Sequence, residues 1–465
     1  MSSRLSPVAS RQSRSDTADV VIIGGGPAGS ASARLLALWG HRVKLVTKTT
    51  DPARGLAESL PPSTHKLLAQ IGILDAIERA GFYRSTGNTA YWASREPRVE
   101  PFSGPGFQIF RPDFDAVMLD AARDVGVDVS EISDGRSQIS ESALVLDCSG
   151  RAGVIGRRYR IAQPEHRTAA LVGVWRRDER WPIPDESHTI VETFDDGWAW
   201  SVPISREVRH VGVMVERGAD YKRVLECTTA TRAMVDGATL QRAFACDASL
   251  YRSERYAGPG FLLVGDAGSF IDPLSSFGVK KALASAWMAA VAAHTILIDS
   301  ERAAAAADFF DAWERRVYDD HLRRSRDFAR AAAEGHPHPF WTSRADVNVA
   351  EDAEADLDMR DAFDRIRSAD EIQFALADEV TFERQPVIRG NEIVLEAGLK
   401  ACATDDGIRF AHDIDLVALA RIACRHRRVP DVYDDYCRTL APAPLPNVVS
   451  GLSLLVAKGI LHART

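Results

Sequence analysis

Residues 18–46 set a glycine cluster, Gly24-Gly25-Gly26-Pro27-Ala28-Gly29, between a short apolar run, Ala18–Ile23, and an alanine- and leucine-rich segment, Gly29–Leu38. No other stretch narrows the possible folds as much. The spacing is G-x-G-x-x-G after a strand and at the opening of a helix. Gly24 permits the tight turn, Gly26 lets the backbone approach a pyrophosphate, and Gly29 lets helix and strand pack closely. The helix start, Pro27 and Ala28 included, faces the anion. Gly40 ends the helix and Val43–Val46 resumes as a second strand, so a βαβ unit and a parallel sheet are expected. An acidic residue normally closes that second strand and binds the adenosine ribose. Here Thr47, followed by Lys48, takes the position and offers a hydroxyl a weaker partner than a carboxylate would.

The chain has 465 residues, which suggests two or three domains. A net charge of -8 argues against nucleic acid as the main partner. The cysteines at 148, 227, 246, 402, 424 and 437 form no C-x-x-C pair, so neither a zinc site nor a disulfide framework is expected. Reduced thiols in a cytoplasmic protein are the plain reading. Residues 1–16 are rich in Ser and Arg and lack an apolar core, which reads as a disordered tail and not a signal peptide. The longest apolar stretch, Ala282–Ile298, contains Ser285, Trp287 and His294 and directly follows Lys280 and Lys281. It reads as a buried core helix, and no membrane partner is expected.

Residues 63–80 read as one helix with Leu67, Leu68, Ile71 and Ile77 inward, and Arg111–Arg123 as another. Ala143–Asp147 is a strand. Ala170–Trp175, His188–Phe194, Trp198–Val202 and His210–Val215 read as strands of an inserted antiparallel sheet, and Phe261–Val264 returns to the first pattern. His336-Pro337-His338-Pro339 marks a break. Beyond it Glu392–Glu396 and Ile408–Phe410 read as strands, and Asp415–Ala423 and the segment from Val429 as helices.

Four segments, in order along residues 18–290, resemble the FAD-dependent aromatic hydroxylases and halogenases. The first is the glycine loop. Arg111 with Phe114-Asp115 resembles the helix whose Arg reaches the FAD pyrophosphate. Asp147-Cys148-Ser149-Gly150-Arg151 resembles the family's D-A-S-G-R segment. Phe261-Leu262-Leu263-Val264-Gly265-Asp266-Ala267, followed by Asp272-Pro273, resembles its second FAD motif, in which the Asp contacts the ribityl or ribose part of FAD. Ser275-Ser276-Phe277-Gly278 then leads into a helix whose N-terminus would face the flavin ring and favour negative charge on reduced flavin. The resemblance implies an α/β fold: a Rossmann-like FAD-binding domain (17–82, 109–160 and 255–335), an inserted β-sheet substrate domain (83–108 and 161–254), and a small C-terminal α+β domain (345–465). A winged-helix-like module is one form the last could take.

Trp198-Ala199-Trp200-Ser201-Val202-Pro203 resembles the W-x-W-x-I-P signature of flavin-dependent halogenases, and Ala57-Glu58-Ser59-Leu60-Pro61-Pro62 their G-E-S-x-x-P segment. Two Trp at i and i+2 also simply pack one face of a strand. A halogenase needs a lysine beside the substrate to deliver hypohalous acid, and Ser85 falls where it would stand. The neighbouring Arg84 is a donor but a poor nucleophile. Phe277 stands where halogenases often place a small or hydroxylated residue near the halide. The resemblance therefore implies oxygen chemistry without halide: reduced FAD and O2 form a C4a-hydroperoxide that hydroxylates an electron-rich ring when water is excluded. Trp198, Trp200, Phe277 and Gly278 belong to that catalytic region, Tyr91 and Trp92 offer flat walls or serve the core, and Glu58 is the nearest acid for a base.

No second G-x-G-x-x-G domain is present, so electrons come either from NAD(P)H met transiently or from a separate flavin reductase. Within the superfamily the chain resembles the flavoprotein monooxygenases of tryptophylquinone cofactor biogenesis, those that mature quinohemoprotein amine dehydrogenase. That resemblance implies a Trp in a partner polypeptide as substrate. A small-molecule phenol, indole or pyrrole hydroxylase, a halogenase and a non-catalytic flavin-fold binding module all stay open.

Overall fold

Val20–Ile23 is buried along its whole length and lies inside a six-stranded sheet. In this computed structural model residues 18–48, 51–131, 144–275, 277–349, 353–401 and 407–464 are described. The sheet runs Ala257–Gly258, Phe261–Leu263, Leu144–Asp147, Val20–Ile23, Val43–Thr47, Asp128–Glu131. Every neighbouring pair is parallel except the first. Val-Val-Ile-Ile suits such a strand because both its faces are covered. The helix Pro27–Leu38 springs from the glycine cluster with proline in its first turn, where a missing N–H is harmless. The helix Gly278–Ile298 packs on it, with the Ser32 hydroxyl donating to the Ala286 carbonyl at 3.3 Å. This second helix is long and apolar enough to cross a membrane, yet 67% of its apolar window is buried within the fold.

The second sheet has eight strands in the order Thr239–Asp247, Thr168–Arg176, Val208–Glu216, Gly197–Pro203, Thr189–Phe194, Tyr83–Tyr91, Arg98–Phe110, Ala57–Leu60. The expected all-antiparallel pattern has one exception: Thr189–Phe194 runs parallel to Tyr83–Tyr91. Alternation sends Trp198 to one face, with Met214, Phe340 and Trp341, and Ala199 to the other, with Ile190, Val211 and Val213. The single helix expected over 63–80 is broken. His65–Ile71 stops at Gly72, whose φ of 76° closes the turn, and Leu74–Arg79 begins afresh.

Contacts divide the chain into two compact units. One runs to Ile298 and resumes over Phe310–Val347; the other comprises Asp299–Phe309 and Asn348 onward. The second unit has its own core around Phe374, Leu399, Leu416, Leu419 and Leu452. The hairpin Thr381–Arg389/Glu392–Lys400 precedes helices Leu416–Ala423, Val429–Thr439 and Leu445–Ala457, and the strands Gln373–Leu376 and Leu461–Arg464 pair. Asp415 caps the first of these helices by accepting from the Ala418 N–H at 2.8 Å.

Candidate flavin and substrate site

The glycine loop is shaped by contacts no side chain could share. Gly24 has φ +109°, and a Cβ there would lie 2.3 Å from the Cys148 carbonyl oxygen. A Cβ on Gly29 would lie 1.8 Å from the Gly24 oxygen. Gly26 differs: the nearest atoms to its Cβ position are Arg111 Nη2 and Asp115 Oδ2, both at 3.9 Å. The space above it is open and faces a guanidinium. No side chain caps the helix start and its first turn holds no acid, so the positive end of the helix is available to an anion. An open cradle beside a fixed cation fits the pyrophosphate of FAD. Thr47 presses on the loop, its Oγ1 2.5 Å from where a Gly25 Cβ would stand.

Arg111 opens the helix Arg111–Arg123 and is clamped from two sides. Its Nε and Nη2 donate to Asp115 at 3.0 and 3.1 Å, and its Nη1 to Glu58 Oε1 at 2.6 Å. Burial opposes its charge, but the Asp115 and Glu58 carboxylates hold it above the ordinary arginine range. The other Glu58 oxygen lies 3.5 Å from the Cβ position of Gly278, where the next helix begins. Gly265, with φ +63°, presents its Cβ position 3.4 Å from the Ala28 Cβ, so the Gly265-Asp266-Ala267 turn rests on the first turn of the glycine-loop helix. Five segments far apart in sequence thus converge on one cleft.

Beneath that turn lies a buried network. Lys281 donates to the carbonyls of Gly265, at 3.1 Å, and Ser269, and sits 3.6 Å from the partly exposed Asp266 carboxylate. The Gly265 N–H donates to Ser285 Oγ at 2.7 Å, and that hydroxyl donates to Glu314. Burial pushes Glu314 up to about 7, against the pull of Lys281. Sequence reading missed Glu314, because a single Glu on a long amphipathic helix carries no signal of its own.

Several expected site residues sit elsewhere or act differently. Asp147 is fully engaged: its carboxylate accepts from Ser149 N–H and hydroxyl and from the Ile155 and Gly156 N–H groups, at 2.5–3.1 Å. It shapes the 148–156 loop, whose Cys148 and Ser149 backbone abuts Gly24. Glu58 is tied to Arg111 through one of its carboxylate oxygens. Tyr91 and Trp92 pack in different clusters: Tyr91 with Ile190 and Val211, the core role left open by the sequence, and Trp92 with Trp198 and Trp200. Pro273 opens a short turn before Gly278, and Ser276 lies outside the described residues. Phe277 lies 5.5 Å from the His321 ring, with Lys280 Nζ 4.7 Å above it.

The aromatic face gathers Trp198 and Trp200, 5.1 Å apart, with Trp92, whose ring lies 5.8 Å from Trp341 and 5.6 Å from Phe328. Phe270 and Leu274, from the segment after Asp266, pack on the same cluster, so the aromatic face borders the flavin cleft. Gly212, paired with Trp200 across the sheet, lets the indole lie flat: a Cβ there would be 2.2 Å from the Trp200 ring. Ser85 is buried and its hydroxyl donates to the Gly87 carbonyl at 3.2 Å, beside a bulge. Arg84 is paired with Glu78 and lies over Phe107.

His210 is a residue the sequence reading passed over. It sits one step from Gly212 on the Trp200 face, and its Nδ1 accepts the Ala57 N–H at 3.2 Å. The proton therefore belongs on Nε2, which is buried and has no partner among the described residues. Burial, then Arg242, pushes His210 down to about 4, so the ring is neutral. Its signal was a polar residue at the inward position of an otherwise apolar strand.

Comparison with known proteins adds to this geometry. The family model described as tryptophan halogenase matches residues 105–381, and that of an FAD binding domain matches 17–145. The tryptophan 2-halogenase of Chondromyces crocatus is 30% identical over 350 residues, 66% of this chain and 66% of that protein's length. The flavin-dependent halogenase CmlS superposes with a TM-score of 0.79 at 21% identity, over 96% of each chain. QhpG, a peptidyl tryptophan dihydroxylase essential for tryptophylquinone cofactor biogenesis, superposes with a TM-score of 0.68 at 21% identity, over 95% of this chain and 99% of that one.

Proposed function

Because this chain belongs to the tryptophan halogenase family and is an FAD enzyme, we propose that it is a monooxygenase that hydroxylates an aromatic ring, a Trp side chain of a partner polypeptide, instead of halogenating it. One observation carries the reading: no lysine stands on any of the eight strands of the Trp-bearing sheet, and Ser85 offers a buried hydroxyl already bonded to Gly87. Bound FAD, once reduced, supplies the activation of O2. In this reading Arg111, fixed by Glu58 and Asp115, would hold the FAD pyrophosphate together with the glycine loop. Asp266 would accept hydrogen bonds from hydroxyls of the ribityl chain. The helix start at Gly278, with no acid in its first turn, would favour negative charge on the reduced flavin. Trp198 and Trp200 form a dry wall for a flat substrate. QhpG, whose substrate is a peptidyl tryptophan, supports the polypeptide half of the proposal by its matching fold along nearly the whole chain.

A halogenase reading has one specific observation in its favour. Lys280, half-buried over Phe277, has its ammonium disfavoured by burial and by Arg324, as a nucleophilic amine requires. It also donates to Ser63 Oγ at 3.0 Å, just past the Glu58 segment.

The polypeptide substrate is tested by incubating the FAD-loaded enzyme, reductant and O2 with a lysate of its source cells, followed by mass mapping of tryptophan-containing peptides. Gain of one or two oxygens on a Trp, dependent on enzyme and reductant, is the expected result. Turnover of free indoles or phenols with no modified polypeptide overturns the partner and leaves the small-molecule hydroxylase.

A further inference from the structure

A second pocket, of about 370 Å³, lies outside the flavin cleft and is walled by Arg151, Arg160, Arg167 and Arg217. Their setting is unusual for a chain whose net charge is -8. A single carboxylate lines it: Asp247 meets Arg151 Nη2 at 3.1 Å and Arg217 Nη2 at 2.7 Å. Asp247 is held down to about 2; burial opposes this, but bonds from Ser249 and the charges of Arg151 and Arg217 prevail. Arg167 is exposed and has no ion-pair partner among the described residues. The Arg160 Nε is buried and makes no hydrogen bond, while its Nη2 donates to the Arg151 carbonyl at 2.9 Å. The floor is Tyr251, with the Arg160 guanidinium 3.7 Å and that of Arg151 5.3 Å from its ring centroid. Arg151 lies closer still to the Phe270 ring, at 4.1 Å, and guanidiniums held on aromatic rings cannot swing out to bulk solvent without losing those contacts.

We propose that this pocket binds the phosphate groups of a soluble organic phosphate, with the pyrophosphate of a nicotinamide dinucleotide as its occupant. Fixed, planar, multiply charged donors match phosphate oxygens better than they match one shared carboxylate. The pocket also touches the flavin site by a direct path: the Tyr251 hydroxyl donates to the Asp266 carbonyl at 2.6 Å. Tyr251 thus links the floor of this pocket to the turn that carries Asp266. The choice of a dinucleotide rests on the flavin reading above; the affinity for phosphate does not.

Calorimetric titration of the full-length FAD-loaded protein separates these parts. Inorganic pyrophosphate should bind, and more weakly as salt rises. Arg167→Ala and Arg217→Ala should each weaken it by about tenfold or more, and Asp247→Asn should tighten it by removing the competing charge. An unchanged flavin absorption spectrum in each variant certifies the fold. NADPH or NADH should then bind in competition with pyrophosphate. Coenzyme A binding in their place supports the phosphate pocket and overturns the dinucleotide. No binding of pyrophosphate at millimolar concentration, or equal affinity in the Arg167→Ala/Arg217→Ala double variant, overturns the pocket itself.

Discussion

The glycine loop and the Trp-bearing sheet solve different problems with different means. The loop excludes side chains: Gly24 and Gly29 meet backbone oxygen at distances that forbid any Cβ, so the chain itself is the binding surface. The sheet is built from side chains: Trp198 and Trp200 tilt against each other, Trp92 meets Trp341 edge to face, and Trp200 lies over Gly212. Backbone geometry tolerates almost no change and speaks for the cofactor. Side-chain packing can be re-cut residue by residue, so it is where one family can change substrate and outcome.

The strongest test of that contrast is Gly29→Val, which should abolish FAD retention and soluble expression, read by flavin absorbance per polypeptide. Retention at half the wild-type level or more would show that the loop is not backbone-limited. Trp198→Ala should lower stability by about 3–5 kcal/mol in denaturant unfolding, as for other buried large-to-small changes, and leave FAD affinity within about threefold. Arg111→Ala should do the reverse, weakening FAD by roughly ten- to a hundredfold through loss of charge-assisted bonds. Equal losses of FAD in the two variants would erase the division between the regions. Gly212→Ala, which forces Trp200 to move, should cost about 1–3 kcal/mol and alter which ring positions are oxidised. An unaltered product pattern would place the substrate away from Trp200.

The smallest effect is one of pH. His210 has a folded pKa of about 4 against 6.5 for the free side chain, so the unfolded chain binds more protons between those values. Its contribution to stability is complete above about 6.5 and is lost as pH falls toward 4. His210→Gln should flatten that slope by up to one proton. An identical slope in the variant would mean that His210 is protonated in the fold.

The cofactor half was the more legible because its signals are local. The strand–loop–helix order fixed Gly24–Gly29, and Arg111–Arg123 is a helix over the very residues its periodicity marked. The sheet was less legible because partners across strands are not written in either strand. Tyr83–Tyr91 and Arg98–Phe110 are long strands rich in Gly, Pro and polar residues, so no alternation announced them. Which faces Tyr91 and Trp92 take depends on pairing with Thr189–Phe194. Asp147 resembled a cofactor ligand by motif, yet the N–H groups that claim it come from a turn eight and nine residues later. The break at Gly72 was misread as continuous helix, although a glycine between two apolar turns is a visible stop.

The central claim is that the flavin site is kept while halide chemistry is not. It is tested most directly by supplying the enzyme with chemically reduced FAD, O2, saturating bromide and a tryptophan-containing peptide or free indole, and weighing the product. The account predicts addition of oxygen with no bromine at any halide concentration, in the wild type and in Lys280→Ala alike. A brominated product from either protein would contradict it, and its loss in Lys280→Ala alone would assign the halide chemistry to that amine.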